Sequence, residues 1–394
     1  MRGSWQSGKR AAALWALIGT GLFIGWQSAT VERNFGGNWT SLFYTGKAQR
    51  IPPDLIRGTF TFEGPGYDGQ MYRYVAHDPW VEGADHNYLD DYSLRQRRIL
   101  VPALAWLLAL GRWDLIDFAD LAILSAFVFA GCYWASLWIM LQGDSPAWGL
   151  AYMIVPSTLV AADRCTIDVA TSSLTIALLL YSRLKRDRFL FLSAMAICLS
   201  RETGLLVLLG VILSLAFERQ WRRGLALSTA AIPALAWYAY VYLHREGASR
   251  PSIPGWLGKG SPLGIFIRLT HPIDYHLRPA IDRMVQGLDC VALAGMLLAF
   301  GLAVFYWSRN RTGSAQITGV LFLLLLPLVS SAPFWDAAYG YSRPFSPLLV
   351  SIAMGSAHAR AYRWVGMVPI FLVLPRLLLQ MGPQIAGIFH VYVR

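Results

Sequence analysis

The segment 60–80, FTFEGPGYDGQMYRYVAHDPW, is unusually polar for a chain that is otherwise largely apolar. It contains Asp68, and Arg95, Arg97 and Arg98 follow it along the chain. A carboxylate that is partly withdrawn from water can accept a proton from an attacking hydroxyl group. Guanidinium groups bind phosphate through paired hydrogen bonds. These residue types together predict a site at which Asp68 is a general base and arginines hold a phosphate.

Transfer of a sugar from a lipid phosphate needs this combination of groups. The departing phosphate is already a good leaving group, so a general acid is not required. The arginines would stabilise the negative charge that develops as the bond to the sugar breaks. A single base with in-line attack predicts inversion at the anomeric carbon, because retention needs a second carboxylate as nucleophile.

Structural roles for the same residues remain open at this point. Asp68 could be the N-cap of a short helix that Pro79 helps to end. The aromatic side chains of the segment could form a belt at the membrane interface. They are Tyr67, Tyr72, Tyr74 and Trp80.

The composition predicts an all-α polytopic membrane protein. Of 394 residues, 55% are hydrophobic and 14% are charged, whereas a soluble domain has about a quarter charged residues. Apolar runs of helical length predict about eleven membrane spans. They fall near residues 11–31, 118–141, 146–162, 166–182, 188–201, 202–217, 224–243, 289–307, 315–334, 344–358 and 364–380.

The basic loops predict the orientation, since Lys and Arg collect on the cytoplasmic side. The N-terminus and the loops RLKRDR (183–188), ERQWRR (218–223), RNR (309–311) and HARAYR (358–363) all face inward if the apolar stretch 99–111 does not cross. We expect that stretch to be an interfacial helix within a long first outer loop, 32–117, because it is too short to span a bilayer.

This orientation places the remaining polar segments on the outer side. Arg201 and Glu202 interrupt an apolar stretch and predict a polar pocket between two short helices; a hairpin with both side chains at the interface is the alternative. Arg343 could bind the lipid phosphate or anchor the interface. Asp163, Arg164 and Asp168 favour an internal ion-pair cluster over substrate contact. A further outer loop is expected at 244–288.

An N-terminal span, a long outer loop with YDGQMY (67–72), the segment RRILVPALAWLLALG (97–111), a span and the helix pair LSRETGLLVL (199–208) occur in this order. In this arrangement the chain resembles the GT-C superfamily of integral membrane glycosyltransferases, most closely bacterial members with a YDGQ-type first outer loop and more distantly GPI mannosyltransferases. The resemblance covers roughly residues 10–220. It implies a lipid-phosphate sugar donor, an active site on the outer face and an acidic catalytic base in the first outer loop, which is Asp68 here.

These expectations combine into one assignment. Residues 1–220 form the catalytic membrane module, and residues 221–394 form variable C-terminal membrane helices. A polyprenyl-phosphate sugar is the donor, a lipid or glycan hydroxyl is the acceptor, and the protein lies among membrane lipids, in the bacterial cytoplasmic (inner) membrane with an extracytoplasmic site. Arg97, Arg98 and Arg201 are expected to contact phosphate. Gln70, Tyr72 and Glu202 are expected to position sugar hydroxyls.

Two other classes of function compete with this assignment. A transporter or lipid flippase would also contain buried charges, along a path through the membrane. A scaffold subunit would tolerate loss of the Asp68 charge. The net charge of +11 suits basic cytoplasmic loops, and no nucleic-acid partner is expected. No metal site is predicted: HPIDYH (271–276) matches no familiar zinc spacing. A divalent metal is possible as cofactor but not indicated.

Overall fold

The computed structural model describes residues 2–83, 85–244, 263–356 and 364–389. The basic loop 358–363 and residues 245–262 of the predicted outer loop 244–288 therefore lie outside the described residues. The described chain is almost entirely helical. Its two short strands, β1 (Thr45–Gly46) and β2 (Thr61–Phe62), pair in parallel and connect two parts of the first long loop.

The helices of the first half alternate between long apolar segments and short segments of the first loop. They are α1 (Arg2–Phe35), α2 (Pro53–Ile56), α3 (Asp68–His77), α4 (Tyr92–Arg97), α5 (Leu100–Leu108), α6 (Ile116–Met140), α7 (Pro156–Arg164), α8 (Asp168–Arg183), α9 (Asp187–Ser200) and α10 (Thr203–Phe217). Short 3₁₀ helices lie at Trp39–Phe43, Asp85–Tyr88, Trp113–Leu115 and Pro146–Ile154.

The second half is composed of helices of very different lengths. They are α11 (Trp221–Ser228), α12 (Ile232–Leu243), α13 (Gly264–Thr270), α14 (Pro279–Arg309), α15 (Ser314–Leu321), α16 (Ala338–Ser342), α17 (Ser346–Ser356), α18 (Val368–Gln380) and α19 (Gly382–Ile388). Further 3₁₀ helices lie at Thr229–Ala231, Phe322–Leu325, Ala332–Trp335 and Val365–Met367.

Several helices are long and apolar enough to cross a membrane. Four such segments occur in the described chain, and a fifth is possible if two helices bent by 58° are taken as one span. The segments are Gln6–Phe35, Trp113–Met140, Trp221–Leu243 and Pro279–Arg309, and the bent pair is Val365–Gln380 with Gly382–Ile388. The all-α class and integration into a membrane are therefore supported.

The remaining predicted spans correspond to shorter helices. Helix α8, for example, has 16 residues and is about 24 Å long at 1.5 Å per residue. A hydrocarbon core is about 30 Å thick. The predicted span 146–162 is divided between a 3₁₀ helix and α7. The number of eleven spans therefore stays a prediction, whereas the positions of the helices follow the apolar runs.

Helix α1 has the surface expected of a membrane helix. Its buried side includes Ala16 and Phe23, both fully covered. Leu14, Leu17 and Leu22 on other sides are 55–60% exposed. A helix that exposes large apolar side chains over its length is stable where lipid covers them.

Helix α8 lies at the centre of the bundle, and all its residues from Asp168 to Leu180 are buried. Small hydroxyl residues allow its neighbours to approach closely and to form hydrogen bonds with it. Ser172 accepts a hydrogen bond from Ser157 of α7 at 2.7 Å, and Thr171 lies 3.0 Å from the Ser200 hydroxyl at the end of α9. These contacts fix the position of the first residue of α8, Asp168.

The predicted orientation can be tested by cysteine labelling in intact cells. In a background without the native cysteines, Arg50→Cys and Leu115→Cys should react with a membrane-impermeant maleimide, because both lie in the predicted outer loop. Arg186→Cys should react only after permeabilisation. Reaction of residue 186 from outside would overturn the orientation, and the labelled fraction is measured by gel shift.

Candidate active site

Asp68 is held between two arginines from distant parts of the chain. Its Oδ1 accepts a hydrogen bond from Nη2 of Arg95 at 2.9 Å, and its Oδ2 accepts one from Nη2 of Arg343 at 2.9 Å. Arg343 is 275 residues away in sequence. The Asp68 side chain is 22% exposed, whereas those of Arg95 and Arg343 are 9% and 6% exposed. The carboxylate is therefore partly exposed, whereas the two guanidiniums that hold it are buried.

Helix α3 begins at Asp68, and its N-cap is Tyr67, which makes no side-chain capping bond. The alternative in which Asp68 is the N-cap is therefore wrong, because its carboxylate bonds to arginines instead. The aromatic-belt alternative is also wrong for Tyr72 and Tyr74, since each is 1% exposed. Tyr67 lies under Arg343, whose guanidinium carbon is 4.7 Å from the ring centre.

Gly69 allows α3 to begin at this place. A Cβ atom at this position would lie 2.2 Å from the carbonyl oxygen of Arg164 and 2.9 Å from that of Phe43. Both are backbone atoms, which cannot turn away as a flexible side chain can. The glycine of the YDGQ sequence therefore lets α3 pack directly on the end of α7, and this contact determines where Asp68 points.

Helix α4 contributes two arginines from one face. Arg95 and Arg98 are three residues apart and therefore project from the same side of the helical turn. Arg98 donates from Nη1 to the Tyr72 hydroxyl at 2.7 Å, and Arg95 donates from Nη1 to the same hydroxyl at 3.4 Å. Asp68 and Tyr72 are four residues apart on α3 and therefore lie on the same face of that helix. Helices α3 and α4 thus face each other through Asp68, Tyr72, Arg95 and Arg98, the last of which follows directly after α4.

Asp90 and Asp91 fix the start of α4. Asp91 is the N-cap and accepts from the Leu94 amide at 2.9 Å. Asp90 accepts from Nε and Nη2 of Arg95 at 2.8 and 2.7 Å. Arg95 is therefore oriented by one carboxylate and presented to Asp68. Arg95 was grouped with Arg97 and Arg98 as a possible phosphate ligand but was not among the predicted site residues; its three-residue spacing from Arg98 is the signal that distinguishes it from Arg97.

Asp168 connects Arg343 to Arg201. Its Oδ2 accepts from Nη1 of Arg343 at 3.0 Å, and its Oδ1 is paired with Nη1 of Arg201. The charges therefore alternate along one chain of contacts. In order, its members are Asp90, Arg95, Asp68, Arg343, Asp168 and Arg201.

The RET turn lies against the same cluster. Arg98 donates from Nε to Oε2 of Glu202 at 3.0 Å. Arg201 and Glu202 are paired with other protein side chains, which argues against a hairpin with both side chains at the interface; a polar pocket between α9 and α10 stays a prediction. Oε1 of Glu202 has no hydrogen-bond partner among the described residues.

Two predicted site residues, Arg97 and Gln70, form hydrogen bonds with backbone groups. Arg97 is 36% exposed and donates from Nε to the Ser93 carbonyl at 2.6 Å, while Oε1 of Glu202 is 3.9 Å away. Gln70 is 1% exposed, accepts from the Gly46 amide and donates to the Pro65 carbonyl, both at 2.9 Å. Gln70 thus supports the loop around α3, and its contact with a sugar stays a prediction.

The residues of the DRCTID turn do not form one cluster. Asp163 pairs with Arg164 at 3.0 Å and accepts from the Tyr339 hydroxyl at 3.2 Å. The guanidinium carbon of Arg164 is 3.3 Å from the ring centre of Tyr44. Asp168 instead belongs to the chain of charges around Asp68. The predicted internal ion pairs are present, but they are divided between two places.

Burial alone would raise the pKa of the Asp68 carboxyl, but the charges and hydrogen bonds of Arg95 and Arg343 outweigh it and hold the pKa well below the usual range. Asp68 is therefore ionised at neutral pH. Burial raises the pKa of Tyr67 to about 12. Burial acts the same way on Tyr72, but Arg98 and Arg95 prevail and lower its pKa.

The chain matches no family model, no curated protein and no solved structure. The GT-C resemblance therefore rests on the order of the sequence motifs alone. Within the residues that the structure describes, no three His, Cys, Asp or Glu side chains are grouped so that they could hold a metal ion. In the HPIDYH segment, His276 and Asp274 form an exposed pair at 3.4 Å.

Replacement of Gly69 tests the packing of α3. Gly69→Ala should lower the free energy of unfolding by about 1–3 kcal/mol because backbone atoms occupy the position of the added methyl group. Gly301→Ala in α14 is the control, since no atom lies within 4 Å of its Cβ position. Thermal unfolding in detergent measures both. Equal stability of the two variants would contradict the packing argument.

The lowered pKa of Asp68 predicts a pH-dependent contribution to stability. A carboxylate whose pKa is depressed in the folded state stabilises that state above its unfolded pKa of about 3.9, and the contribution disappears as pH falls through the folded pKa. The stability difference between wild type and Asp68→Asn should therefore be constant from pH 7 to 5 and shrink below about pH 4. A difference that does not change down to pH 3, measured by thermal unfolding, would contradict the ion pairing.

Proposed function

We propose that the protein is an inverting glycosyltransferase that moves one sugar from a polyprenyl-phosphate donor to a hydroxyl of a lipid or glycan acceptor at the outer face of the membrane. One observation carries the proposal: the ionised carboxylate of Asp68 lies between the guanidiniums of Arg95 and Arg343. A base and phosphate-binding groups are thus side by side, on elements from both halves of the chain.

In the proposed reaction the acceptor hydroxyl attacks the anomeric carbon and gives its proton to Asp68. The bond between that carbon and the phosphate oxygen breaks, and its electron pair stays on the phosphate. Arginines around the phosphate stabilise the charge that develops there. Arg98 donates to Tyr72, and Arg201 pairs with Asp168, so both arginines belong to the cluster around Asp68. Arg97, whose side chain is 36% exposed, lies at the edge of this cluster.

The low pKa of Asp68 makes it a weak base as long as both arginines are bonded to it. A donor phosphate provides competing oxygens for Arg95 and Arg343. As the guanidiniums turn from Asp68 to the phosphate, the pKa of Asp68 rises toward its ordinary value. Binding of the donor would thus make Asp68 a stronger base, and Asp68 would remain a weak base when no donor is bound.

Two polar side chains near Asp68 could orient sugar hydroxyls once the site opens to the donor. The Glu202 side chain is 28% exposed, and its Oε1 is buried and makes no hydrogen bond within the described chain. Tyr72 lies between Arg95 and Arg98. We assign Glu202 and Tyr72 to orientation of the sugar, with Gln70 supporting the loop that carries Asp68.

The positions of the charges support an enzyme over a transporter or flippase. Asp68 is the first residue of α3, Asp168 is the first residue of α8, and Arg201 lies between α9 and α10. Ends of helices from several segments therefore meet at one place, which favours a site at one face over a path through the membrane. We place that face outside a bacterial inner membrane, with the N-terminus in the cytoplasm, on the distribution of basic loops.

Asp68→Asn tests the assignment of the base. The amide cannot accept the proton, so turnover with a short-chain polyprenyl-phosphate sugar and a lipid acceptor should fall by about 10²–10⁴-fold. The assay uses purified protein in nanodiscs, radiolabelled donors with each common sugar, and separate measurement of transfer and hydrolysis. Asp54→Asn, an exposed carboxylate of the same loop, is the matched control and should keep wild-type turnover.

Two results would contradict the proposal. If the wild type neither transfers nor hydrolyses any donor of the panel, the glycosyltransferase assignment loses its basis. If Asp68→Asn keeps its turnover while folding normally, Asp68 is not the base, and the arginines around it have a structural role.

A further inference from the structure

Asp168 is a buried carboxylate whose two oxygens are used by two different arginines. It is 1% exposed and lies in the first turn of α8, where the helix dipole favours a negative charge. Its Oδ1 pairs with Arg201, and its Oδ2 accepts from Arg343 at 3.0 Å. Both guanidiniums belong to the site proposed above, and Arg343 links Asp168 to Asp68.

Each of the three guanidinium nitrogens of Arg343 donates a hydrogen bond in this arrangement. Its Nη1 donates to Asp168, its Nη2 donates to Asp68 at 2.9 Å, and its Nε donates to the Tyr339 carbonyl at 2.7 Å. One positive charge is therefore shared by two carboxylates. A phosphate that binds Arg343 must compete with Asp168 as well as with Asp68, and a phosphate that binds Arg201 must compete with Asp168.

We propose that Asp168 is a positioning residue that holds Arg201 and divides Arg343 between two carboxylates, and thereby limits how tightly these arginines bind the substrate phosphate. This inference rests on the proposed glycosyltransferase function. A site that bound phosphate with every arginine unopposed would hold the polyprenyl-phosphate product as strongly as the donor. An internal counter-charge weakens the ground-state complexes and lets the product leave.

Neutral replacement of Asp168 separates this role from simple support of the fold. Without the charge, Arg201 loses its carboxylate partner and Arg343 keeps only Asp68, so an incoming phosphate binds two guanidiniums that have fewer competing anions. Phosphate binding should become tighter while turnover becomes slower. A residue that only supports the fold would instead lose binding and turnover together when it is replaced.

Four variants carry the test. Asp168→Asn removes the charge and keeps the shape, Asp168→Ser removes it and leaves room for a water, and Asp168→Glu keeps the charge. Asp289→Asn is the matched control: Asp289 is 15% exposed and accepts from Arg376 at 2.6 Å and from the Tyr275 hydroxyl at 2.7 Å. It is a similarly paired carboxylate, and its partners Arg376 and Tyr275 are not members of the chain of charges around Asp68.

Binding of a short-chain polyprenyl phosphate without sugar is measured by calorimetry, and turnover is measured with the corresponding sugar donor, both below the unfolding temperature of each variant. Asp168→Asn and Asp168→Ser should bind the phosphate about tenfold more tightly, as expected for loss of one competing charge at contact distance. Their kcat should fall at least as much. Asp168→Glu should return both values toward wild type, and Asp289→Asn should change neither.

Unchanged or weaker phosphate binding by both neutral variants would overturn the inference, as would the same tightening in Asp289→Asn. These results leave the proposed function intact if the wild type transfers sugar. A wild type without transfer contradicts the proposed function, and the phosphate affinities then decide the role of Asp168 independently. Absence of phosphate binding by the wild type would overturn both.

Discussion

The paired bonding of the Asp68 carboxylate to Arg95 and Arg343 is the interaction on which the rest of the site depends. It joins the first long loop to the segment between α16 and α17, two regions that have no sequence proximity. For both bonds to form, α3 must begin at Asp68 and α4 must present Arg95 toward it. The absence of a side chain at Gly69 and the capping of α4 by Asp91 meet these two requirements.

Buried charges are costly to remove from water, and ion pairs repay that cost only when each group is well bonded. Here positive and negative side chains alternate, so that each internal charge has partners on both sides. The arrangement also uses aromatic surfaces, since Arg343 lies over Tyr67 and Arg95 over Tyr72. Guanidinium groups are more weakly hydrated than ammonium groups and stack on rings, which explains why arginine, and not lysine, occupies these positions.

The cluster is arranged for exchange of partners. Its members are held to one another by hydrogen bonds and ion pairs, and a new anion that replaces a carboxylate at an arginine leaves the guanidinium paired. In the proposed function, such a site would keep Asp68 ionised and a weak base when no donor is bound. The role proposed for Asp168 follows from the same property, because stronger internal partners would weaken the binding of an external anion.

The sequence by itself determined much of the secondary structure. Apolar runs gave the places of helices such as Ile116–Met140 and Leu100–Leu108, and the charges of Arg201 and Glu202 marked the break between α9 and α10. These features depend on local composition, which is visible in a single segment. The polar loop around Asp68 was identified for the same reason, as a carboxylate near several arginines.

Only the tertiary structure decided which arginines reach Asp68. Arg95 points inward and Arg97 outward because they lie on different faces of α4, whose boundaries the sequence did not define. Arg343 and Asp168 reach the site through the packing of α8 and α17 across the bundle, a contact between residues that are 175 positions apart. The pairing of distant charges depends on how the whole chain folds, and the types of the residues do not determine which of them meet.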